Sequence, residues 1–561
     1  MDYCIPPQPI RDTNMQVVDA IAQVLKDEGV SILFAYPVNP LIEAAAKLDI
    51  RTVIVRQERT GLHMADAYSR LSSGDDIGVF CMQHGPGAEN AFGGVAQAYS
   101  ESVPLLVVPA GYPRKVAGYY PNFSSTLNMQ HVTKSAETLT MGSMTADIMR
   151  RAFFQLRNGR GGPVLVEVPL DVFSEDVGPH FSYTPSFKAR TAPDPDSVAT
   201  AARMLIEAER PVIYAGQGVH YAKAWDALRT LAESLNIPVT TSIEGKSAFP
   251  EDHPLSLGSG GRANPRPVKA FLKDADLIFG VGCSFALTAF GVSMPRGKRI
   301  IQATLDPLDL AKDVPIELAL LGDAQLTLEA LNGALAAAPA GEVANAAAQR
   351  DAVPAQIDTL RTQWLGEWQP KLAATGEPIN PYRVVAELDA LVDKAQTIIT
   401  HDAGSPRDQV TPFWQSTTPL SYIGWGKTTQ LGYGLGLAMG AKLAHPGKLC
   451  INVWGDAAIG FTGMDFETAA REQIPILSIL FNNFSMAIEI PIMPVSEEKF
   501  GSTTISGHYA DMAKAFGGYG ERVTRSDDIR GALERGIAAT ERGEPALLEF
   551  ITAKEIEISN E

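Results

Sequence analysis

Two apolar runs near the end of the sequence finish in residues that could bind a divalent cation. Asp456 follows the run 448–454 almost directly, and Asn483 follows the next apolar run, 474–482. Asn483 lies 27 residues after Asp456, which leaves room for one strand–helix–strand unit, so the two side chains are expected at one edge of a parallel sheet. Carboxylate and amide oxygens suit Mg²⁺, which commonly completes its octahedral shell with phosphate and water.

The residues after Asp456 suit an anionic ligand. Ala457 and Ala458 are small, so their backbone amides are accessible to a phosphate group. A cation on Asp456 beside a phosphate on these amides predicts a metal–diphosphate site. The alternative is that 455–458 is only a strand-end turn and that Asn483 belongs to a plain loop.

Such a site needs a parallel sheet, and the sequence predicts three. Short apolar runs rich in β-branched residues alternate with helical patterns, the first of which stops at Gly29. This alternation predicts sheets covered on both faces, so the expected fold class is α/β with three doubly wound parallel-sheet domains. Two segments resemble linkers, 186–197 and 335–378. The runs expected as strands are 30–36, 52–55, 77–82, 105–109, 163–168, 211–216, 276–282, 299–305, 396–401, 448–454, 474–482 and 545–551.

Composition excludes several function classes. The chain has 561 residues, of which 45% are hydrophobic and 20% charged, which is typical of a globular protein of several domains. The net charge of −17 argues against a nucleic-acid partner or a basic membrane-surface helix. No run approaches the roughly 20 apolar residues of a membrane span, and residues 1–14 lack the apolar core of a secretory signal. The four cysteines form no CxxC pair, so we expect a cytoplasmic protein with reduced thiols.

The segment 455–483 resembles the signature of enzymes that use thiamine diphosphate, usually written GDG…NN. Gly-Asp-Ala is followed by a helix carrying 464–468 and then by two adjacent asparagines, with the spacing of that family. Ala457 stands where glycine is usual. The resemblance implies that thiamine diphosphate and Mg²⁺ bind here, the metal being held by Asp456, Asn483 and the carbonyl oxygen of Ser485.

The resemblance also assigns a catalytic acid, Glu58. Thiamine chemistry needs an acid beside the aminopyrimidine ring, because protonation of that ring promotes activation of the reactive carbon. Glu58 follows the run 52–55 and precedes a helix whose residues 63–68 resemble the family's HMAEGYAR stretch, although Gln57 replaces the usual histidine. The alternative is that Glu58 only stabilises the N-terminus of this helix.

Two further loops supply candidate catalytic residues. Residues 83–90 resemble the family's SGPGATN turn, with Gln83 and His84 in place of smaller polar residues. We expect His84 either to polarise substrate or shuttle a proton, or to be a structural histidine. The loop 35–40 resembles the family's YPGG loop, in which Asn39 either faces the reacting centre or stabilises a turn.

The last third of the chain supplies the other cofactor residues. Residues 430–441 resemble the TMGFGLPAAIGA segment, which makes Leu431 the bulky residue under the cofactor rather than an ordinary core leucine, and the Thr429 carbonyl an acceptor from the aminopyrimidine. Residues 401–405 take the place of the DVG loop beside the diphosphate. The cofactor-binding residues implied by the resemblance are Glu58, Gly404, Ser405, Thr429, Leu431, Gly455, Asp456, Ala457, Ala458 and Asn483.

The resemblance covers nearly the whole chain and is closest to acetolactate synthase, 2-oxo-acid decarboxylases and benzaldehyde lyase. It implies a thiamine diphosphate- and Mg²⁺-dependent C–C bond lyase or carboligase acting on a 2-oxo acid or related carbonyl. Residues 118–123 and 486–492 depart from the synthase pattern, so a simple 2-oxo-acid decarboxylase and a 1,2-diketone-cleaving enzyme stay open. A catalytically silent assembly protein is the non-enzyme alternative, and it predicts loss of the acid that Glu58 supplies. A flavin or nicotinamide oxidoreductase predicts a full GxGxxG motif with a following acid, which the chain lacks.

The resemblance also implies the roles of the domains and the partners. Residues 1–185 would form an N-terminal pyrimidine-binding domain, 195–340 a central domain and 375–561 a diphosphate-binding domain. Because the outer domains of two subunits face each other in this family, a homodimer or homotetramer is expected, with a small-molecule carbonyl substrate and no nucleic-acid or membrane partner. The central domain binds FAD or another adenine nucleotide in some relatives, and the glycines of 258–262 and 280–284 would either serve such a ligand or form plain turns.

Overall fold

The computed structural model describes residues 15–560, which divide into two compact units between Ala189 and Arg190. The first unit contains one six-stranded sheet and the second contains two. Neighbouring strands in all three sheets are parallel, which confirms the predicted α/β class. The expectations for Cys4 and for a secretory signal in residues 1–14 lie outside the described residues. Of the helices in residues 15–560, none combines the length and apolar character needed to cross a bilayer.

The first sheet has the strand order β2-β1-β3-β4-β6-β5. Both of its faces are covered: Val79 and Cys81 share a core with helix Val17–Asp27, whereas Phe80 lies under Gly61 of helix Glu58–Leu71. The strands are β1 (Ile32–Ala35), β2 (Arg51–Ile54), β3 (Gly78–Met82), β4 (Leu105–Gly111), β5 (Ser135–Thr138) and β6 (Val164–Pro169). The helices are Val17–Asp27, Leu41–Ala46, Glu58–Leu71, Pro86–Ser100, Ser125–Met129 and Thr145–Arg157, with 3₁₀ turns at Gln130–Val132 and Gly142–Met144.

The second sheet forms the first part of the second unit. Its strands are β7 (Pro211–Ala215), β8 (Val239–Thr241), β9 (Ser256–Ser259), β10 (Leu277–Val281), β11 (Arg299–Thr304) and β12 (Leu318–Leu321), in the order β12-β11-β10-β7-β8-β9. The helices are Pro195–Glu207, Gly218–Tyr221, Trp225–Leu235, Arg266–Asp274, Ala324–Ala337, Ala340–Ala348 and Val353–Leu372, with a 3₁₀ turn at Pro307–Asp309.

The third sheet has the order β14-β13-β15-β16-β18-β17. Its strands are β13 (Thr397–His401), β14 (Tyr422–Ile423), β15 (Leu449–Gly455), β16 (Leu477–Asn482), β17 (Tyr519–Val523) and β18 (Ala546–Ile551). Its helices are Pro381–Leu391, Ser405–Phe413, Tyr433–Ala444, Asp456–Thr462, Phe466–Arg471, Pro494–Phe500, Tyr509–Ala515 and Ile529–Glu541. The 3₁₀ turns are Lys394–Gln396, Gly463–Asp465, Ala487–Glu489 and Ser526–Asp528.

The first and third sheets share one strand order. Numbered within its own sheet, each runs 2-1-3-4-6-5, whereas the middle sheet runs 3-2-1-4-5-6. In the third sheet the chain leaves β13 for β14 and then returns to β15 on the other side of β13. Such a reversal opens a crevice at the carboxyl ends of the two central strands, where parallel sheets bind ligands. The same reversal occurs between β1 and β3 in the first sheet.

One predicted linker is wrong. Residues 335–378 were expected to be a linker because the segment is alanine-rich and then polar, but helices Ala340–Ala348 and Val353–Leu372 occupy most of it. The longer helix buries only Ile357 and Trp364, so its apolar pattern is too sparse to indicate a helix. Trp364 stacks on Phe413 with ring centroids 4.9 Å apart. The predicted boundaries 1–185, 195–340 and 375–561 stay a prediction.

One buried cysteine lies in or just after a strand of each sheet. Cys81 lies in β3, Cys283 lies just after β10, and Cys450 lies in β15. Burial raises the pKa of all three thiols, that of Cys450 to about 12. These thiols are therefore protonated and packed, as expected for reduced core cysteines.

Gly78 allows helix Glu58–Leu71 to pack closely on β3. A Cβ at this position would lie 2.1 Å from the carbonyl oxygen of Ala65 and 2.8 Å from its Cα. Because both partners are backbone atoms, Gly78→Ala is expected to lower the free energy of unfolding of this domain by about 3 kcal/mol, measured by urea denaturation. Gly333→Ala is the matched control, since it lies inside a helix with nothing within 4 Å of the added Cβ. It should raise stability by about 1 kcal/mol, and a Gly78→Ala protein as stable as wild type would contradict the prediction.

Candidate active site

A pocket of the second unit opens at the crevice of the third sheet. It encloses about 600 Å³, including the part open to solvent. Its walls come from the loops that follow three adjacent parallel strands: 403–406 after β13, 455–458 after β15, and 483–489 after β16. The topology thus accounts for the pocket, because these loops leave the same edge of one sheet.

Most of the predicted cofactor residues of the last third of the chain meet in this pocket. Thr429 is the exception: it lies in the irregular segment between β14 and helix Tyr433–Ala444, and it does not line the pocket. Its predicted role therefore finds no support in the pocket geometry and stays a prediction. The predicted residues that line the pocket are Gly404, Ser405, Leu431, Gly455, Asp456, Ala457, Ala458, Asn483 and Ser485.

Asp456 is a charged residue of the pocket whose carboxylate accepts three backbone hydrogen bonds. Its side chain is 4% exposed, and Oδ2 accepts hydrogen bonds from the backbone amides of Asn483 at 3.1 Å and Ser485 at 3.2 Å. Its Oδ1 accepts from the amide of Ala457 at 2.9 Å. Burial raises the pKa of Asp456, and these backbone amides oppose that effect. One carboxylate thus ties the loop after β16 to the helix that begins at β15.

Asn483 provides the observation that favours a cation. Its side-chain Oδ1 is buried and, among the described residues, makes no hydrogen bond. A buried carbonyl oxygen without a partner is costly, and here it lies in the loop whose backbone amides bind the Asp456 carboxylate. A carboxylate, an unsatisfied amide oxygen and a nearby backbone form a donor set that fits Mg²⁺. Asp456, Asn483 and the carbonyl of Ser485 are the residues that would hold it.

Ala457 is compatible with a diphosphate site. It is the second residue of helix Asp456–Thr462, so its backbone is helical and an alanine adopts it without strain. Ala457 and Ala458 line the pocket next to Gly455, and their small side chains leave the backbone accessible. The replacement of the usual glycine therefore does not argue against phosphate binding.

One part of the pocket lining was not predicted from the sequence. Met486, Ala487, Ile488 and Glu489 follow Asn483 and line the same space, and Gln409 and Thr552 contribute polar groups. Residues 486–492 were noted only for departing from the synthase pattern. The signal that would have found Glu489 is its position in a loop directly after a strand whose end carries the proposed metal ligand.

The four predicted residues of the first domain lie at one edge of the first sheet. Asn39 follows β1, Glu58 follows β2, and Gln83 and His84 follow β3. These strands are adjacent and parallel, with Ala35 paired to both Ile54 and Cys81. The topology therefore places Asn39, Glu58, Gln83 and His84 after three neighbouring strand ends, around the reversal between β1 and β3.

The side chain of Asn39 takes part in several hydrogen bonds of the fold. Its Nδ2 donates to the carbonyl oxygens of Met82 and Val108, both at 2.9 Å, and its Oδ1 accepts from the amide of Leu41 at 3.0 Å. It is 3% exposed. These bonds match the interpretation that Asn39 stabilises a turn, and its catalytic role stays a prediction.

Glu58 and His84 are better placed for chemistry. Glu58 is the first residue of helix Glu58–Leu71 and is 3% exposed, so its carboxyl group is removed from bulk water. His84 packs edge-on against Tyr112, with centroids 4.6 Å apart. Among the described residues, its buried Nδ1 makes no hydrogen bond. The catalytic roles of Glu58, His84 and Gln83 stay predictions.

The glycines of the central domain have a packing role. A Cβ at Gly280 would lie 2.2 Å from the ring of Phe285, and one at Gly261 would lie 2.9 Å from Ile243. Close contacts within the chain therefore explain why glycine stands at positions 261 and 280, and no bound ligand is needed to explain it. FAD or another adenine nucleotide in this domain stays a prediction.

Comparison with known proteins agrees with this geometry. Three relatives align over more than nine-tenths of their own length. The probable acetolactate synthase large subunit of Methanocaldococcus jannaschii is 28% identical, covering 96% of this chain and 92% of its own. The acetolactate synthase isozyme 3 large subunit of Escherichia coli K12 is 26% identical, covering 92% of each chain. The glyoxylate carboligase of Escherichia coli O157:H7 is 27% identical, covering 97% of this chain and 94% of its own.

Three domain families match in order along the chain. Residues 15–137 match the N-terminal TPP binding domain of thiamine pyrophosphate enzymes, 198–331 match their central domain, and 402–550 match their C-terminal TPP binding domain. Thiamine pyrophosphate is thiamine diphosphate under its other name, so the resemblance found in the sequence is confirmed. The protein therefore belongs to the family of thiamine pyrophosphate enzymes.

Proposed function

We propose that this thiamine diphosphate-dependent carboligase uses Mg²⁺ and acts on a 2-oxo acid or a related small carbonyl compound, making or breaking the bond next to the carbonyl. Relatives named acetolactate synthase and glyoxylate carboligase support carboligation. We further propose that it works as a homodimer or homotetramer. The observation that carries the proposal is that Asp456 and Asn483 line one pocket: the Asp456 carboxylate accepts from the backbone amide of Asn483, and the side-chain Oδ1 of Asn483 is unsatisfied.

The proposed cofactor-binding and catalytic residues follow strands of two sheets, the third and the first. Asp456 and Asn483 would hold the metal, and the amides of Ala457 and Ala458 would approach the diphosphate. Leu431 would support the rings, and Glu58 would hold a proton at the aminopyrimidine nitrogen. When bound, thiamine diphosphate supplies the nucleophilic carbon and the electron sink for bond cleavage and formation next to a carbonyl.

A product screen tests the substrate class. The purified protein with thiamine diphosphate and Mg²⁺ is incubated with 2-oxo acids, singly and in pairs, and with 1,2-diketones. Carbon dioxide release and new products are followed by mass spectrometry. We expect carbon dioxide release from a 2-oxo acid together with a product that contains a new C–C bond. Absence of any turnover across the screen, in protein that binds the cofactor, would contradict the proposed substrate class.

Glu489 gives specific support to one alternative, a simple 2-oxo-acid decarboxylase. Apart from Asp456, it is the one acidic side chain among the described residues that line the pocket. Asp456 is assigned to the metal, so Glu489 is the acid left to deliver a proton. A reaction that ends with protonation gives an aldehyde, whereas one that ends with addition to a second carbonyl gives a longer product. An aldehyde as the sole product of the screen would therefore select the decarboxylase.

A further inference from the structure

Asp402 is a buried carboxylate whose hydrogen bonds hold the loop that carries Leu431. It follows β13 and is 0% exposed. It belongs to the segment 401–405 that resembles the DVG loop, but the sequence analysis assigns no role to its side chain. Its Oδ1 accepts from the amide of Gly432 and its Oδ2 from that of Gly434, each at 2.9 Å. Its Oδ1 also accepts from the amide of Ala403 at 2.8 Å. Two of its three donors thus lie just beyond Leu431 in the chain.

The loop is held from a second side by Thr462. The Thr462 hydroxyl donates to the carbonyl oxygen of Gly432 at 2.8 Å, and Thr462 is the last residue of the helix that begins with Asp456. Gly432 has a φ of +87°, and an added Cβ would lie 2.9 Å from the Thr462 hydroxyl oxygen. The backbone next to Leu431 therefore has little freedom to shift between Asp402 and Thr462.

A buried carboxylate is costly unless its oxygens are satisfied, and this one is satisfied by backbone amides. Burial raises the pKa of Asp402 to about 6, against the effect of the amides of Gly434, Gly432 and Ala403. At pH 7.5 the group is therefore mostly ionised, and both oxygens accept. An apolar side chain of similar size at position 402 would fill the same volume, but it would leave the amides of Gly432 and Gly434 without an acceptor.

We propose that Asp402 is a positioning residue that fixes Leu431 in the pocket and thereby sets the affinity for thiamine diphosphate. The inference rests on the proposed function, because it assigns Leu431 to the cofactor. Asp402 acts through the backbone of Gly432 and Gly434 and is not among the residues that line the pocket. Leu431 lines the pocket, so a shift of its backbone would change the surface offered to the cofactor.

The test is a double-mutant cycle on the dissociation constant for thiamine diphosphate, measured by isothermal titration calorimetry at saturating Mg²⁺ and pH 7.5. Asp402→Asn replaces one acceptor oxygen with an amino group and is expected to weaken binding about tenfold or more. Leu431→Ala is expected to weaken binding as well. If Asp402 acts through Leu431, then Asp402→Asn should weaken binding less than threefold in the Leu431→Ala background.

Two further variants keep the test decisive. Asp323→Asn changes another buried aspartate, which caps helix Ala324–Ala337 outside the pocket, and it should leave the dissociation constant unchanged. Thr462→Val removes only the second hydrogen bond to Gly432 and serves if the Asp402 variant does not fold. It should weaken binding about threefold, again less in the Leu431→Ala background.

The outcomes separate the inference from the proposed function. Failure of the wild-type protein to bind thiamine diphosphate would overturn the proposed function. Cofactor binding by the wild type with full additivity of Asp402→Asn and Leu431→Ala would overturn the role of Asp402 alone. An unchanged dissociation constant in Asp402→Asn would also overturn the role of Asp402 and leave the proposed function intact.

Discussion

Asp456→Asn is expected to reduce the affinity for thiamine diphosphate with Mg²⁺ by about 100-fold or more, and turnover by a still larger factor. Asparagine has the same size but carries no charge, so it binds a divalent cation poorly. Its amino group would also face the backbone amides that Oδ2 now accepts from, those of Asn483 and Ser485. Calorimetric titration with the cofactor, in Mg²⁺ and in EDTA, measures the effect.

The matched control for this variant is Asp511→Asn. Asp511 lies in helix Tyr509–Ala515 of the same domain, and its side chain is 72% exposed. Its replacement should leave both the affinity and the turnover within a factor of two of wild type. Wild-type cofactor affinity in Asp456→Asn, or affinity that EDTA does not change, would contradict the metal site.

Glu58→Gln is expected to reduce the turnover number by about 10²- to 10⁴-fold, while the dissociation constant for thiamine diphosphate stays within about threefold of wild type. Glutamine keeps the shape and the hydrogen-bonding reach of the side chain but has no proton to exchange with the aminopyrimidine ring. Steady-state rates on the best substrate of the product screen, together with calorimetric cofactor titration, separate the two quantities.

The competing interpretation of Glu58 makes a different prediction. If the carboxylate only stabilises the N-terminus of helix Glu58–Leu71, its loss should cost about 0.3–1 kcal/mol of stability and leave turnover unchanged. Glu43→Gln, in the first turn of helix Leu41–Ala46, shows the size of that effect in the same domain. Full activity in Glu58→Gln would therefore refute the catalytic role.

Most buried strands of this fold were predictable from apolar runs alone, although the inner strand β8, which reads Val-Thr-Thr, was not. The run 448–454 became β15 (Leu449–Gly455), and the run 105–109 became β4 (Leu105–Gly111), each within two residues at either end. Strands covered on both faces are usually apolar along their whole length, so they stand out in the sequence. Most edge strands do not: β5 reads Ser-Ala-Glu-Thr and is half-buried throughout, and β14 has only two residues. Neither was predicted.

The site was predictable where a residue type and a strand end coincide. Asp456 and Asn483 qualified because a carboxylate and an amide each follow an apolar run, and the pocket contains both. Asp402 also follows a strand, but its partners are backbone amides 30 and 32 positions away and on the adjacent residue. Side-chain types carry no trace of such bonds, so a sequence cannot single out Asp402. Glu489 lies seven residues beyond the end of β16, so its position in the sequence does not mark it as a residue of the pocket.

The buried cysteines, one in or just after a strand of each sheet, can report on the opening of each domain. A thiol-specific reagent can modify Cys81, Cys283 or Cys450 only after the surrounding strand opens, because all three are buried and burial raises the pKa of each. Peptide mapping after timed alkylation would assign each modified thiol to its own sheet. With Cys4 replaced by serine, the native chain carries three internal reporters, and the order of their modification gives the order in which the domains lose their structure.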